Sequence, residues 1–224
     1  MKKLRASENP FEQVAREWKQ YRPSPSGELG FFLPLTPKGA TVLDAGCAHG
    51  RNHSKLLKKA AFLYGVDISP QLIEFATQNA LEKNLSKKTS FSVANITKLP
   101  LERESVGCVY CIAVLHHLQT PAQRKKALTE FFRVLKYGGR VFLTVWNIHQ
   151  PRFARLGMKK NALVPWKTRQ GKTVQRYYHF FEKGELEKLA FASGFEVEGT
   201  FWEKGGKTHE KQGAANLCAI LRKA

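Results

Sequence analysis

The chain has 224 residues, 42% of them hydrophobic and 25% charged, enough to bury the core of one domain of ordinary size, roughly 150 residues, with an appended element. Two independent enzymes do not fit, and the composition excludes a disordered tail or a collagen-like repeat. Lys and Arg number 37 against 18 Asp and Glu, a net charge of +19; that exceeds what solubility requires and points to an anionic partner, nucleic acid before a membrane.

The start, Met1-Lys2-Lys3-Leu4-Arg5, is basic like a signal peptide, but no apolar run or cleavage site follows, which predicts a cytoplasmic protein without a membrane segment. A leading helix over about 9–21 has Asn9 as N-cap, Pro10 at its first position and Glu12 in a capping-box arrangement. Its apolar face is Phe11, Val14, Trp18 and Tyr21, and the cluster from Pro23 to Gly27 ends it. A strand over 41–44 follows, then a helix after Gly50, a strand over 63–67, and a helix opened by Ser69 and Pro70. Next come strands over 90–94 and 106–112, a helix over 121–135 capped by Thr120, and, released by Gly138-Gly139, a strand over 140–145. Cys108 and Cys111 have a C-x-x-C spacing, but within a buried strand side chains three apart point to opposite faces, so no metal or disulfide is expected there.

From 147 to 181 the alternation stops. This segment holds Arg152, Arg155, Lys159, Lys160, Lys167, Arg169, Lys172 and Arg176, interleaved with Phe153, Trp166, Tyr177 and Tyr178. A helix over 185–193 and strands over 195–202 and 214–221 complete the chain. The pattern reads as one α/β domain over 1–224, with a doubly wound, mostly parallel seven-stranded sheet, an antiparallel final strand and a basic insertion.

The chemistry concentrates in Val42-Leu-Asp-Ala-Gly-Cys-Ala-His-Gly50, a strand running into a glycine-bearing turn that opens a helix. Such a turn brings backbone N–H groups and a helix N-terminus close to a ligand. The next strand ends in Asp67, placed to accept hydrogen bonds from the hydroxyls of a ribose. The dinucleotide fingerprint G-x-G-x-x-G fails, because Ala48 and Arg51 stand at its second and third glycines. D-x-G-x-G-x-G fits with Ala48 as its single departure.

Here the sequence resembles the class I S-adenosylmethionine-dependent methyltransferases, from Thr41 to about Val145. The resemblance implies S-adenosylmethionine as cofactor, held by Asp44, Gly46, Cys47, Ala48 and Gly50 at the turn. Asp67-Ile68 would hold the ribose, Asn95-Ile96 would contact the adenine, with Asn95 where aspartate is common, and Ala113 opens a further motif, Ala113-Val-Leu-His-His-Leu118. Outside that core, Tyr21-Arg-Pro-Ser-Pro25, Leu163-Val-Pro-Trp166 and Arg176-Tyr-Tyr-His-Phe-Phe-Glu-Lys-Gly-Glu-Leu186 are similar to the tRNA methyltransferases that esterify a carboxymethyl group on the wobble uridine. That family often requires a small zinc-binding activator, for which the edge strand over 90–94 offers a pairing surface.

A carboxylate nucleophile has a reference pKa of about 4, so it needs orientation and exclusion of water more than a base. The planar fork of arginine suits that task; Arg176 and Arg22 are the candidates, with His116 beside the methyl group. N/D-P-P-Y amine chemistry is disfavoured by Cys111-Ile-Ala-Val114. Arg152, Arg155, Trp166, Tyr177, Tyr178 and His179 are expected to bind substrate, as a phosphate track with stacking platforms for loop bases. Two other readings stay open: a methyltransferase of a small acidic metabolite, and an RNA-binding protein whose cofactor site has decayed.

Overall fold

A computed structural model describes residues 9–150, 153, 157 and 159–224. Its centre is an eight-stranded sheet, which the chain builds from the middle outward. β1 (Thr41–Ala45) pairs in parallel with β2 (Phe62–Asp67), and β2 with β3 (Thr89–Val93); the chain then returns to lay β4 (Val106–Ile112) against the other side of β1. This reversal opens a crevice beyond the carboxyl ends of β1 and β4, where open α/β sheets bind ligands. β5 (Leu135–Trp146) continues in parallel, and β10 (Asn216–Arg222) runs antiparallel between β5 and β8 (Glu196–Lys204).

Apolar runs put β1 and β4 in the core on both faces. One face packs on α5 (Pro121–Val134) and α6 (Lys183–Phe191) through Phe131, Leu128 and Leu186; the other packs on the short α2 (Leu29–Phe32) through Leu29 and Phe32. Each such side chain contributes about 1.5–3 kcal/mol. Cys111 belongs to the first cluster and Cys108 to the second, the opposite faces that strand geometry requires. All four cysteines are buried and free, and among the described residues no cluster of metal ligands forms.

The structure corrects the sequence reading in several places. The eighth strand is β9 (Lys207–His209), a short edge paired with β8. The helix after Gly50 is a single turn, α3 (His53–Leu56). α5 stops at Val134, and Gly138-Gly139 lie inside β5, where the β4–β5 register shifts. A Cβ on Gly139 would meet Lys136 O at 2.8 Å and Gly107 O at 2.9 Å, so this bulge demands glycine.

The described part of the insertion is not all irregular. It contains a hairpin, β6 (Asn161–Lys167) and β7 (Thr173–His179), as a separate two-stranded sheet. Val174, Arg176 and Tyr178 face inward, and the charge in the middle of that row hid the alternation. α1 (Pro10–Tyr21) is capped by Asn9 as expected, but Glu12 makes no capping box. Its carboxylate instead accepts from Ser69 Oγ and Gln71 N at the start of α4 (Pro70–Glu82), pinning α1 across the crevice. Tyr21, expected on the apolar face, is 52% exposed.

Candidate active site

β1 delivers the chain into the turn at 46–50 under tight steric control. Gly46 has φ +87°, and a Cβ there would lie 2.3 Å from Val114 Cγ2. The N–H groups of Gly46 and Cys47 both donate to Val66 O, at 2.8 and 2.9 Å. Ala48 N donates to Asp67 Oδ2 at 3.0 Å. Three N–H groups expected to face a ligand therefore tie the turn to β2 instead. Ala48 adopts φ +48° and Ala113, just past β4, φ +59°; both are left-handed conformations that strain an L-residue and collect at functional sites.

Around this turn lies a cleft of about 580 Å³. Of the ten residues expected to hold the cofactor, Gly46, Cys47, Ala48, Asp67, Ile68, Asn95, Ile96 and Ala113 line it together. Asp44 and Gly50 do not. Asp44 is buried behind the turn, 3.6 Å from His53 Nε2, and burial raises its pKa to about 7 while lowering that of His53 to about 3. Gly50 is glycine for packing, since a Cβ would meet His53 Nδ1 at 2.5 Å. Asp67 is also raised, to about 6, by burial, with the N–H groups of Ser69 and Ala48 acting in the opposite sense. Asn95 Oδ1 accepts from both the N–H and the hydroxyl of Thr97 at 2.9 Å, so that oxygen is already engaged and is not the acceptor expected for an adenine amino group.

A second pocket, of about 540 Å³, shares Trp18, Arg51, Ile112, Ala113 and His117 with the cleft. Arg22 lines it, as does Arg51, which sequence reasoning passed over as a mere failure of the dinucleotide pattern. Arg22 lies over the Trp18 ring, and Arg51 reaches only Ser24 O, at 3.5 Å. No described carboxylate pairs with either guanidinium within 4.0 Å. Glu28, Gln150 and Asn216 complete the polar lining.

The other expected catalytic residues lie elsewhere. His116 is buried, accepts the Trp146 N–H at 3.2 Å through Nδ1 and stacks on Tyr178; it lines neither pocket. His117 lines both, with Nδ1 3.0 Å from Tyr177 O and a pKa that burial lowers to about 3, so its ring is neutral at pH 7. Arg176 is 4% exposed and lies within 6 Å of the rings of Trp18, Trp166 and Tyr178. It lines neither pocket, so the structure does not bring it to the cavity wall where sequence reasoning expected a carboxylate clamp.

The expected substrate residues divide in the same way. Tyr178 is wholly buried, and His179 is held between Asn161 Oδ1 and Glu185 Oε1; both are core rather than contact residues. Tyr177 lines the cleft. Trp166 packs against Trp18 and Tyr21 and donates to Glu17 Oε2 at 3.0 Å. Arg152 and Arg155 lie outside the described residues.

Comparison with known proteins agrees with this geometry. A family model described as a methyltransferase domain matches residues 43–143. A protein of Encephalitozoon cuniculi (strain GB-M1), named for methyltransferase activity, is 30% identical over 193 residues, covering 84% of this chain and 85% of its own. The chain belongs to the methyltransferase family. The tRNA (carboxymethyluridine(34)-5-O)-methyltransferase of Arabidopsis thaliana is 35% identical over 140 residues, 62% of this methyltransferase, which spans 32% of that relative's length. Among solved structures, a Haloferax volcanii methyltransferase in complex with the Trm112 methyltransferase activator matches with a TM-score of 0.71 and 17% identity, covering 96% of each chain. That likeness identifies the fold as the Rossmann-like methyltransferase fold. Among the described residues no helix is long and apolar enough to cross a membrane.

Proposed function

We propose that this methyltransferase transfers a methyl group from S-adenosylmethionine to the carboxylate of a 5-carboxymethyl-type group on wobble uridine 34 of tRNA. The observation that carries the reading is the pair Arg22 and Arg51, two guanidiniums that no described carboxylate pairs within 4.0 Å, in a pocket that shares a wall with the cofactor cleft. Buried or half-buried cations need a counter-charge. A substrate carboxylate supplies it in the geometry that arginine holds best.

The cleft residues suit the cofactor. Asp67 offers a carboxylate for the ribose hydroxyls, Ile68 and Ile96 offer apolar surface for a base, and Gly46 lets the turn close on Val114 in the cleft wall. The cofactor, when bound, supplies the sulfonium methyl group. The chain's own work is orientation: Arg22 and Arg51 hold the carboxylate, and Trp18, Ile112 and Ala113 close the shared wall against water. No general base is needed, which agrees with a neutral, hydrogen-bonded His117.

Two features support tRNA over a small metabolite. The net charge is +19, and exposed Lys167, Arg169 and Lys172 gather at the tip of the β6–β7 hairpin beside Trp166. Relatives named for carboxymethyluridine(34) methylation point the same way. A small activator of the kind bound by the Haloferax volcanii neighbour would pair with β3, the longer of the two edge strands of the sheet. The test is mass spectrometry of nucleosides from tRNA incubated with the protein, alone and with such an activator, and labelled S-adenosylmethionine. Label in the methyl ester of carboxymethyluridine is expected; label on any other nucleoside, or on free carboxylic acids alone, would overturn the reading.

A further inference from the structure

The second pocket also contains an acid with an unusual tether. Glu28 lines it next to the two arginines, whose charges it feels without pairing with either. Its Oε1 accepts Asn216 Nδ2 at 2.7 Å, and the same amide nitrogen donates to Glu203 Oε2 at 2.8 Å. Glu203 is buried and its Oε1 also takes the Gly206 N–H at 2.6 Å, so Glu203 accepts on both sides and the Asn216 amide stands as donor between two carboxylates. Both hydrogens of the Asn216 amide are spent on carboxylates. The side chains of this wall therefore have acceptors rather than donors left to offer a ligand.

We propose that Glu28 is the residue that selects uracil over cytosine, by accepting the ring N3–H of the target base. This rests on the carboxymethyluridine reading above. A uracil with a 5-carboxymethyl group presents, in order around its edge, a carboxylate, the O4 acceptor and the N3–H donor. Arg22 and Arg51 match the first two, and Glu28 matches the third. Cytosine reverses the last two, putting an amino donor near the arginines and a lone pair against Glu28. A site built to pair with a hydrogen-bonding group rejects an analogue that leaves its buried polar groups unmatched, by up to about 10⁴-fold.

The tether makes the test sharp. In Glu28→Gln, Asn216 Nδ2 still needs an oxygen, so the new amide keeps its oxygen on Asn216 and turns its NH₂ toward the pocket, exchanging acceptor for donor. Anticodon stem-loop RNAs with 5-carboxymethyluridine or 5-carboxymethylcytidine at the wobble position are assayed for methyl-ester formation. The wild type is expected to prefer the uridine by at least about 100-fold in kcat/KM, and Glu28→Gln to shrink that ratio at least about tenfold by gaining on cytidine. Glu28→Ala is expected to lose on uridine without gaining on cytidine. A merely structural Glu28 would lower both substrates together, and an unchanged uridine-to-cytidine ratio in folded Glu28→Gln overturns the proposal. Wild-type protein that esterifies neither RNA, with activator present, overturns the carboxymethyluridine reading and Glu28's role with it.

Discussion

Asp67 accepts the Ala48 N–H through Oδ2 and the Ser69 N–H through Oδ1, each at 3.0 Å. One carboxylate thereby ties the glycine-bearing turn to the N-cap of α4 while standing at the edge of the cofactor cleft. Asp67→Ala would leave two buried N–H groups unpaired, at about 1–3 kcal/mol each, besides removing the ribose acceptor. We expect at least a 100-fold loss of S-adenosylmethionine affinity, about 2.7 kcal/mol, by calorimetry. Unchanged affinity in the folded variant would remove Asp67 from the site.

The same carboxylate sets a pH dependence. Its pKa is raised to about 6 by burial, so below that pH it carries a proton and is a poorer acceptor for two hydroxyls. Binding that needs the ionised form releases this proton, and affinity weakens as pH falls through about 6. Titration calorimetry at pH 5 to 7.5 should show the affinity dropping about tenfold per unit at the acid end, with proton release measurable from buffers of different ionisation heat. A flat profile would contradict it.

Ala48 has φ +48° where glycine would be unstrained. The left-handed conformation costs an L-residue roughly 1–2 kcal/mol, offset in part by the freedom that glycine gains when unfolded. Ala48→Gly is expected to raise the midpoint of thermal unfolding by about 2–4 °C. A lower midpoint would show that the turn gains more from the methyl group than it loses to strain.

At Gly46 the constraint is contact rather than conformation alone. A Cβ would sit 2.3 Å from Val114 Cγ2, so Gly46→Ala should displace the turn and abolish cofactor binding. Val114→Ala removes the obstructing methyl groups. The double variant is predicted to recover at least about 1 kcal/mol of binding relative to Gly46→Ala, a coupling expected only for residues in contact. Strict additivity would place the obstacle elsewhere.

What could be read from the sequence follows from how local each signal is. β1, β2 and β4 announce themselves as apolar runs, and the turn and Asp67 lie at their ends, so eight of the ten residues expected to hold the cofactor come together on one cleft. The substrate side depends on rotations that no pattern encodes. One residue of turn around Leu115–His117 buries His116 and leaves His117 on the cleft. Arg176 sits on the inward face of a hairpin whose hydrophobic alternation it interrupts. Arg51 enters the pocket from the turn ahead of α3, where no periodicity tells which way its side chain goes.

The three arginines should separate cleanly. Arg22 and Arg51 line the second pocket, where the substrate carboxylate is proposed to bind, whereas Arg176 is enclosed by Trp18 of α1 and by Trp166 and Tyr178 of the hairpin. It joins α1 to the hairpin, as Glu17 does through Trp166 Nε1 and Arg169 N. Because α1 also lines the cofactor cleft, losing that junction loosens both sites. Lys keeps the charge but not the flat guanidinium that packs against three rings. Arg176→Lys is therefore expected to lower the unfolding midpoint and to weaken S-adenosylmethionine binding about threefold to tenfold, with turnover falling as a consequence. Arg22→Lys should instead leave the midpoint and cofactor affinity near wild type, and Arg51→Lys, on the wall shared with the cleft, should leave the midpoint near wild type, while each cuts kcat on carboxymethylated tRNA at least about tenfold, roughly 1.4 kcal/mol of transition-state stabilisation. A full kcat loss in Arg176→Lys with stability and cofactor affinity intact would return Arg176 to the carboxylate and make Arg22 and Arg51 spectators.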